Sequence, residues 1–278
     1  MQEVSMSNKE FQLFVYEGNS AEPKYVDKLE KNFLGERIAI KCVYDAEIYQ
    51  LYRQMKDDDF AIDIVSILKE RSHQNAEILK DYNRDSFAYI YLFFDYDGHS
   101  TMADDSKIRE MLQFFDNETE NGMLYISYPM VEAIRHYKEL DSFQNSTAKC
   151  KRGKSLDAIK CPYKEECDTL DECLKEPHYK SISASDNNPQ LNNINHYNEE
   201  VWKTLIKAHV FKMNYLVNDS YSMPKNIEAQ STIFEKQYTK YINHKCPKVA
   251  VLSAFPIYVL DYYGVEGLTK KLDMLYLL

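Results

Sequence analysis

The sequence predicts an α/β protein, a parallel sheet covered by helices and followed by a helical C-terminal region. Three observations carry this reading. Four short apolar runs, at 11–16, 38–44, 87–94 and 123–128, have the length of strands. The segments between them carry apolar residues at helical spacing, the alternation expected of parallel strands joined by helical crossovers. The third run, FAYIYLFF, has no polar group beyond its tyrosine hydroxyls, as a central strand buried on both faces requires.

In chain order, the first run leads into a helix with Pro23 in its first turn and a stripe of Tyr25, Val26, Leu29 and Phe33. Between the second and third runs, Phe60, Ile64, Ile67 and Leu68 mark one long helix continuing towards Leu79. Ile108, Met111, Leu112 and Phe115 form the inward side of a short helix over 107–115. Past residue 136 the text turns polar and cysteine-containing, and SISASDNNPQLNNIN at 181–195 reads as an exposed loop. Helical periodicity returns over 196–217, where Val201, Trp202, Leu205, Ile206, Val210 and Met213 share one side, and continues through 226–243 and 249–278. These divisions predict an α/β domain over 1–140, a cysteine-containing insertion and loop over 141–195, and a helical region over 196–278. That last region would pack on the sheet or on another subunit.

With 44% hydrophobic and 28% charged residues, a chain of 278 residues has enough apolar side chain for a real core, which argues against disorder. No stretch approaches the roughly 18–20 apolar residues of a membrane helix, and MQEVSMSNKE lacks the apolar centre of a secretory signal, so a cytoplasmic protein is expected. The net charge of −10 excludes a broad basic surface that would hold nucleic acid by neutralising phosphates. A nucleic-acid substrate would then depend on metal ions or a partner for attraction. The 23 tyrosines supply packing and interface material, and some could stack on bases.

In an α/β sheet, residues just past the carboxyl ends of parallel strands share one edge, where sites form. Glu17 follows the first run and Asp95 and Asp97 follow the third, so three carboxylates distant in sequence converge. Two acids at i and i+2 leaving a strand, with a third from a neighbouring strand, make a hard oxygen cage for Mg²⁺ or Mn²⁺. The words EGNSAE at 17–22 and FFDYD at 93–97, separated by αβα segments, resemble the Toprim fold of topoisomerases, bacterial primases and overcoming-lysogenization-defect nucleases. EG followed four residues later by glutamate resembles the nuclease branch, including RloB-like phage-defence proteins, and SYPMVEAIRH resembles the segment that carries a further acid there. The resemblance covers about the first half of the chain.

It implies a Mg²⁺-dependent nuclease in which Glu17 is acid/base or first-metal ligand, Asp95 and Asp97 bind metal, and Glu22 and Glu132 take second-site or outer positions. By the same resemblance the protein would be the toxic effector of a bacterial antiviral, abortive-infection system, a homodimer restrained by an ABC- or AAA-type ATPase partner. Gly98 and His99 stand where the family places a third aspartate, which leaves one or two ions open. The absence of a basic groove favours a small RNA such as tRNA over DNA as substrate. Glu22 is also a favourable acid at a helix start, and Glu132 also fits a surface helix. His99 and His136 could assist proton transfer, although capping or solvated roles suit them as well.

Two other readings stand beside this one. The DYDG word at 95–98 resembles the first motif of haloacid-dehalogenase-like phosphatases, with Asp95 as nucleophile, but that motif sits on a first strand rather than a third. A catalytically inactive Toprim module that binds or senses is the other. Further along, Cys150, Cys161, Cys167, Cys173 and His178 could supply four ligands to a structural Zn²⁺, although tight CxxC pairs are absent and small buried thiols are the simpler explanation. The neighbouring Lys149, Lys151, Arg152 and Lys154 are the best local candidates for phosphate contact in so acidic a chain.

Overall fold

The computed structural model describes residues 11–35, 39–150, 179–244 and 247–274. Its centre is a sheet of five strands, β1 (Gln12–Tyr16), β2 (Ala39–Val43), β3 (Tyr89–Asp95), β4 (Asp116–Asn117) and β5 (Gly122–Ser127), in the order β2-β1-β3-β5-β4. The first four of that order run parallel, and only the two-residue β4 pairs antiparallel, with β5. Register places Tyr16 opposite both Val43 and Phe93, and Asp95 opposite Ser127. The chain steps from β1 to β2 on one side and then crosses to β3 on the other, so the order reverses at the β1/β3 boundary. Open α/β sheets bind their ligands at such a switch point, outside the carboxyl ends of the strands.

By the right-handed rule for parallel crossovers, α1 (Glu22–Leu29) falls on one face and α2 (Ile48–Asp57), α3 (Ile64–Arg71), α4 (His73–Ile78) and α5 (Asp105–Phe114) on the other. The predicted long helix over 60–79 is instead α3 and α4, divided at Ser72. There the backbone turns extended (φ −151°, ψ 149°) and the hydroxyl accepts from Asn75 N at 3.1 Å, capping α4. Asp63 caps α3 in the same way, accepting from the backbone N–H of Val65 and Ser66.

After β5 come α6 (Leu140–Phe143), β6 (Thr147–Lys149), α7 (Tyr179–Ser185), α8 (Glu199–Asn218), α9 (Gln230–Gln237), β7 (Lys248–Ala250) and α10 (Ala254–Lys271). The stretch predicted as an exposed loop over 181–195 is in fact α7 followed by short 3-10 turns, and Ser183, Asn187 and Leu191 are buried. Residues 248–250, read as the start of a helix, are a strand pairing antiparallel with β6. The C-terminal helices pack on the sheet itself. Phe93 meets Phe255 at 5.1 Å, and Tyr91 and Phe14 meet Tyr258 at 4.9 and 5.6 Å, so α10 closes the face that Phe14, Tyr91, Phe93 and Tyr125 line. One continuous apolar core extends from Leu13 to Leu272. Among the described residues, no helix is long and apolar enough to cross a membrane.

Candidate metal-binding carboxylate site

Every proposed acid comes to the same rim. Glu17 leaves β1 with its N–H on Phe93 O at 3.0 Å and its carbonyl taking Asp45 N at 2.9 Å, so its backbone is stitched between β3 and the end of β2. Its side chain turns towards β3, where Oε2 accepts from Asp95 N at 2.9 Å. Gly18 N donates to Glu22 Oε1 at 3.1 Å, which explains the spacing of the EGNSAE word: the glutamate in the first turn of α1 folds back onto the strand exit. Glu132, on the 3-10 turn Val131–Arg135 after β5, is 8% exposed and stands 3.6 Å from Lys180 Nζ through Oε1.

Asp97 adopts a left-handed backbone (φ 45°), a strained conformation that aspartate tolerates better than most residues and that recurs at functional sites. Its N–H donates to Pro129 O at 3.2 Å and its carbonyl accepts from Ser100 N at 2.8 Å, which hold the loop in this shape. His99 Nδ1 lies 3.5 Å from Asp97 Oδ1. His136 is engaged elsewhere: it is buried, with Nδ1 at 3.0 Å from the Tyr179 hydroxyl and Nε2 at 3.7 Å from Asp186.

The electrostatics follow from this crowding. Burial pushes the Glu17 carboxyl up to about 9, with the charges of Asp97, Glu22 and Glu47 adding to it and the bond from Asp95 N opposing it. Burial likewise raises Asp95 well above the ordinary carboxylate range, reinforced by Glu17, Asp97, Glu22 and Glu132. Asp97 is pushed up to about 6 by burial, with His99 and Lys180 pulling it back. Glu22 is raised by burial and by Glu132. A group of acids with so little counter-charge near it has two ways to relax at neutral pH: to hold protons, or to hold a cation.

Among the described residues, no three His, Cys, Asp or Glu side chains are grouped tightly enough to close on one metal ion as they stand. The donors nonetheless fit a hard divalent cation. All are carboxylate oxygens, and Asp97 Oδ1, Glu132 Oε2 and Glu47 Oε2 are buried without a hydrogen-bond partner. Closing on an ion would require rotation of those side chains.

Glu47 and Lys180 are the participants that sequence reasoning missed. Glu47 follows β2, the same kind of position as Glu17, and that was a usable signal. Lys180, 68% exposed through its side chain, has no local signal, since α7 brings it in from a different part of the chain. Of the other candidates, Lys149 ends β6 and Cys150 is buried after it. Lys151, Arg152, Lys154, Cys161, Cys167, Cys173 and His178 lie outside the described residues. No protein-family model, curated protein or solved structure matches the chain.

Proposed function

We propose that this protein is a Toprim-like, metal-dependent nuclease that hydrolyses phosphodiester bonds, with a structured RNA such as tRNA favoured over DNA. The observation that carries the reading is the meeting of Glu17 and Asp95 across the β1/β3 switch point, with Asp97, Glu22 and Glu132 beside them. Asp95, Asp97 and Glu17 would hold Mg²⁺ or Mn²⁺, with Glu22 and Glu132 further out. The bound ion would neutralise the scissile phosphate and lower the pKa of an attacking water.

The residues themselves account for the rest. Glu17, whose carboxyl favours a proton in the metal-free site, would serve either as the ligand of a first metal or as the acid/base group, not as both at once. Asp97 is aimed by its strained backbone, and Lys180 is the exposed cation beside the acids that a phosphate would meet. A defence role, with toxicity held in check by an ABC- or AAA-type ATPase and a homodimeric effector, follows from the family resemblance alone.

The test is cleavage of tRNA and of duplex DNA by purified wild type and Glu17→Gln, with Mg²⁺, with Mn²⁺ and with EDTA. Metal-dependent cleavage that disappears in the variant supports the reading, and sequencing of nucleic acid from cells expressing wild type or Glu17→Ala then identifies the substrate. Cleavage that survives Glu17→Gln unchanged would remove this site from the chemistry, no metal-dependent cleavage by wild type would favour a binding module, and a phosphoaspartate trapped at Asp95 by a phosphomonoester would favour a phosphatase.

A further inference from the structure

At the amino-terminal end of the same sheet, away from the carboxylate rim, lies a cavity of about 710 Å³. That volume is in the range of small-molecule sites, roughly 300–1,000 Å³. The strands contribute Tyr89, Tyr91 and Tyr125 to its wall, and α10 contributes Tyr262 and Tyr263. Tyr89 and Tyr91 stack at 6.4 Å and 11°, while Tyr262 and Tyr263 meet edge to face at 4.7 Å, so the cavity is lined with rings in several orientations.

The charged groups there are of one sign. Asp261 on α10 and Glu118 from the β4–β5 hairpin both line the cavity, and its lining among the described residues contains no Lys, Arg or His. Asp261 Oδ2 accepts from the Tyr125 hydroxyl at 2.8 Å. Asp261 Oδ1 is buried with the Gln230 side-chain amide as its neighbour, while Oε1 of Gln12, at the start of β1, is buried without a hydrogen-bond partner. Two carboxylates with no balancing cation among the described lining residues disfavour a phosphate-bearing ligand and favour a positive one. Five tyrosine rings favour an organic cation over a bare metal ion, because ring faces attract ammonium groups while a hard metal requires an oxygen shell.

We propose that this cavity is a second ligand site, taking an organic ammonium compound whose charge is balanced by Asp261 and Glu118 and rests against the tyrosines. The protonation of Asp261 agrees with this. Its carboxyl is pushed up to about 7, by burial first and by Glu118, against the Tyr125 bond and the nearby Gln230 amide of α9. Glu118, Tyr125 and Gln230 stand beside it, with Gln12 and the other tyrosines lining the same cavity. An arriving ammonium favours the carboxylate, so binding should expel a proton and tighten as pH rises through neutrality.

Isothermal titration of the full chain with phenethylammonium and with spermidine, at about pH 6 and about pH 8, tests the proposal, with neutral 2-phenylethanol as control. The expected results are binding of at least one amine, several-fold tighter at the higher pH, little binding of the alcohol, and a loss of about tenfold or more in Asp261→Asn. Asparagine can still accept from Tyr125, and a melting curve shows whether that variant is folded. If it is not, Glu118→Gln, at a half-buried position, decides, with a smaller but measurable loss. No amine binding at millimolar concentration, equal binding of amine and alcohol, or unchanged binding in a folded Asp261→Asn would overturn the proposal.

Discussion

Two buried titratable sites in this protein are built in opposite ways. Lys212 on α8 is 2% exposed, and its three ammonium donors have three acceptors: Phe143 O at 2.9 Å, Ser146 Oγ at 2.6 Å and Ser146 O. The Phe143 ring sits 4.4 Å below the charge. Burial pushes the Lys212 pKa well below the ordinary lysine range, yet every bond that side chain can make is made, and it fastens the turn between α6 and β6. The acids at the switch point are nearly as buried, with Asp95 6% exposed, but their neighbours are chiefly other acids and several of their oxygens have no partner. A satisfied buried charge is accounted for by the fold alone. An unsatisfied one costs the fold stability.

The sharpest way to test that contrast is activity. Glu17→Gln or Asp95→Asn should lower metal-dependent cleavage on the order of a thousandfold or more in single-turnover assays, and a residual within about tenfold of wild type would remove these residues from the chemistry. Lys212→Met should act only on stability. It leaves the Phe143 and Ser146 carbonyls without donors and should cost about 2–4 kcal/mol in denaturant melts, with cleavage per folded molecule retained.

The acids predict the opposite sign. In metal-free protein at neutral pH, Glu17→Gln should gain about 1–2 kcal/mol, raising Tm by about 2–4 °C for each kcal/mol. The reason is the proton balance: with its ordinary value near 4.5 raised to about 9, folded Glu17 holds a proton that the unfolded chain releases. Its contribution is therefore present below about pH 4.5 and lost as pH climbs towards 9. Thermal melts of metal-free wild type should fall across that window, and both Glu17→Gln and added Mg²⁺ should flatten the decline. The smallest effect is expected for Glu132→Gln, a loss of about threefold to tenfold in cleavage, because Lys180 already offsets much of that charge.

The sheet was legible because its strands are buried on both faces. β1, β2, β3 and β5 lie within two residues of the apolar runs at 11–16, 38–44, 87–94 and 123–128. The convergence of Glu17, Asp95 and Asp97 followed from strand polarity alone. Features set by local competition or distant pairing were not legible. Ser72 ends one helix and caps the next because its hydroxyl can replace a backbone acceptor, which periodicity does not register. The strand at Lys248–Ala250 exists through its pairing with Thr147–Lys149, about a hundred residues earlier. The polar text at 181–195 hides a buried seam, in which Asn187 Nδ2 donates to Arg135 O at 3.1 Å. α2 passed unread although Ile48, Leu51, Tyr52 and Met55 keep helical spacing, and Glu47 at its start went with it.

The lid that α10 forms over Phe14, Tyr91, Phe93 and Tyr125 has a consequence for biosynthesis. The strands carrying those rings leave the ribosome more than a hundred residues before Ala254–Lys271, so for several seconds of translation a row of aromatic side chains has no cover. Nascent chains stalled before residue 254 should therefore bind chaperones strongly, and the carboxylate rim should become competent only after that late helix has docked.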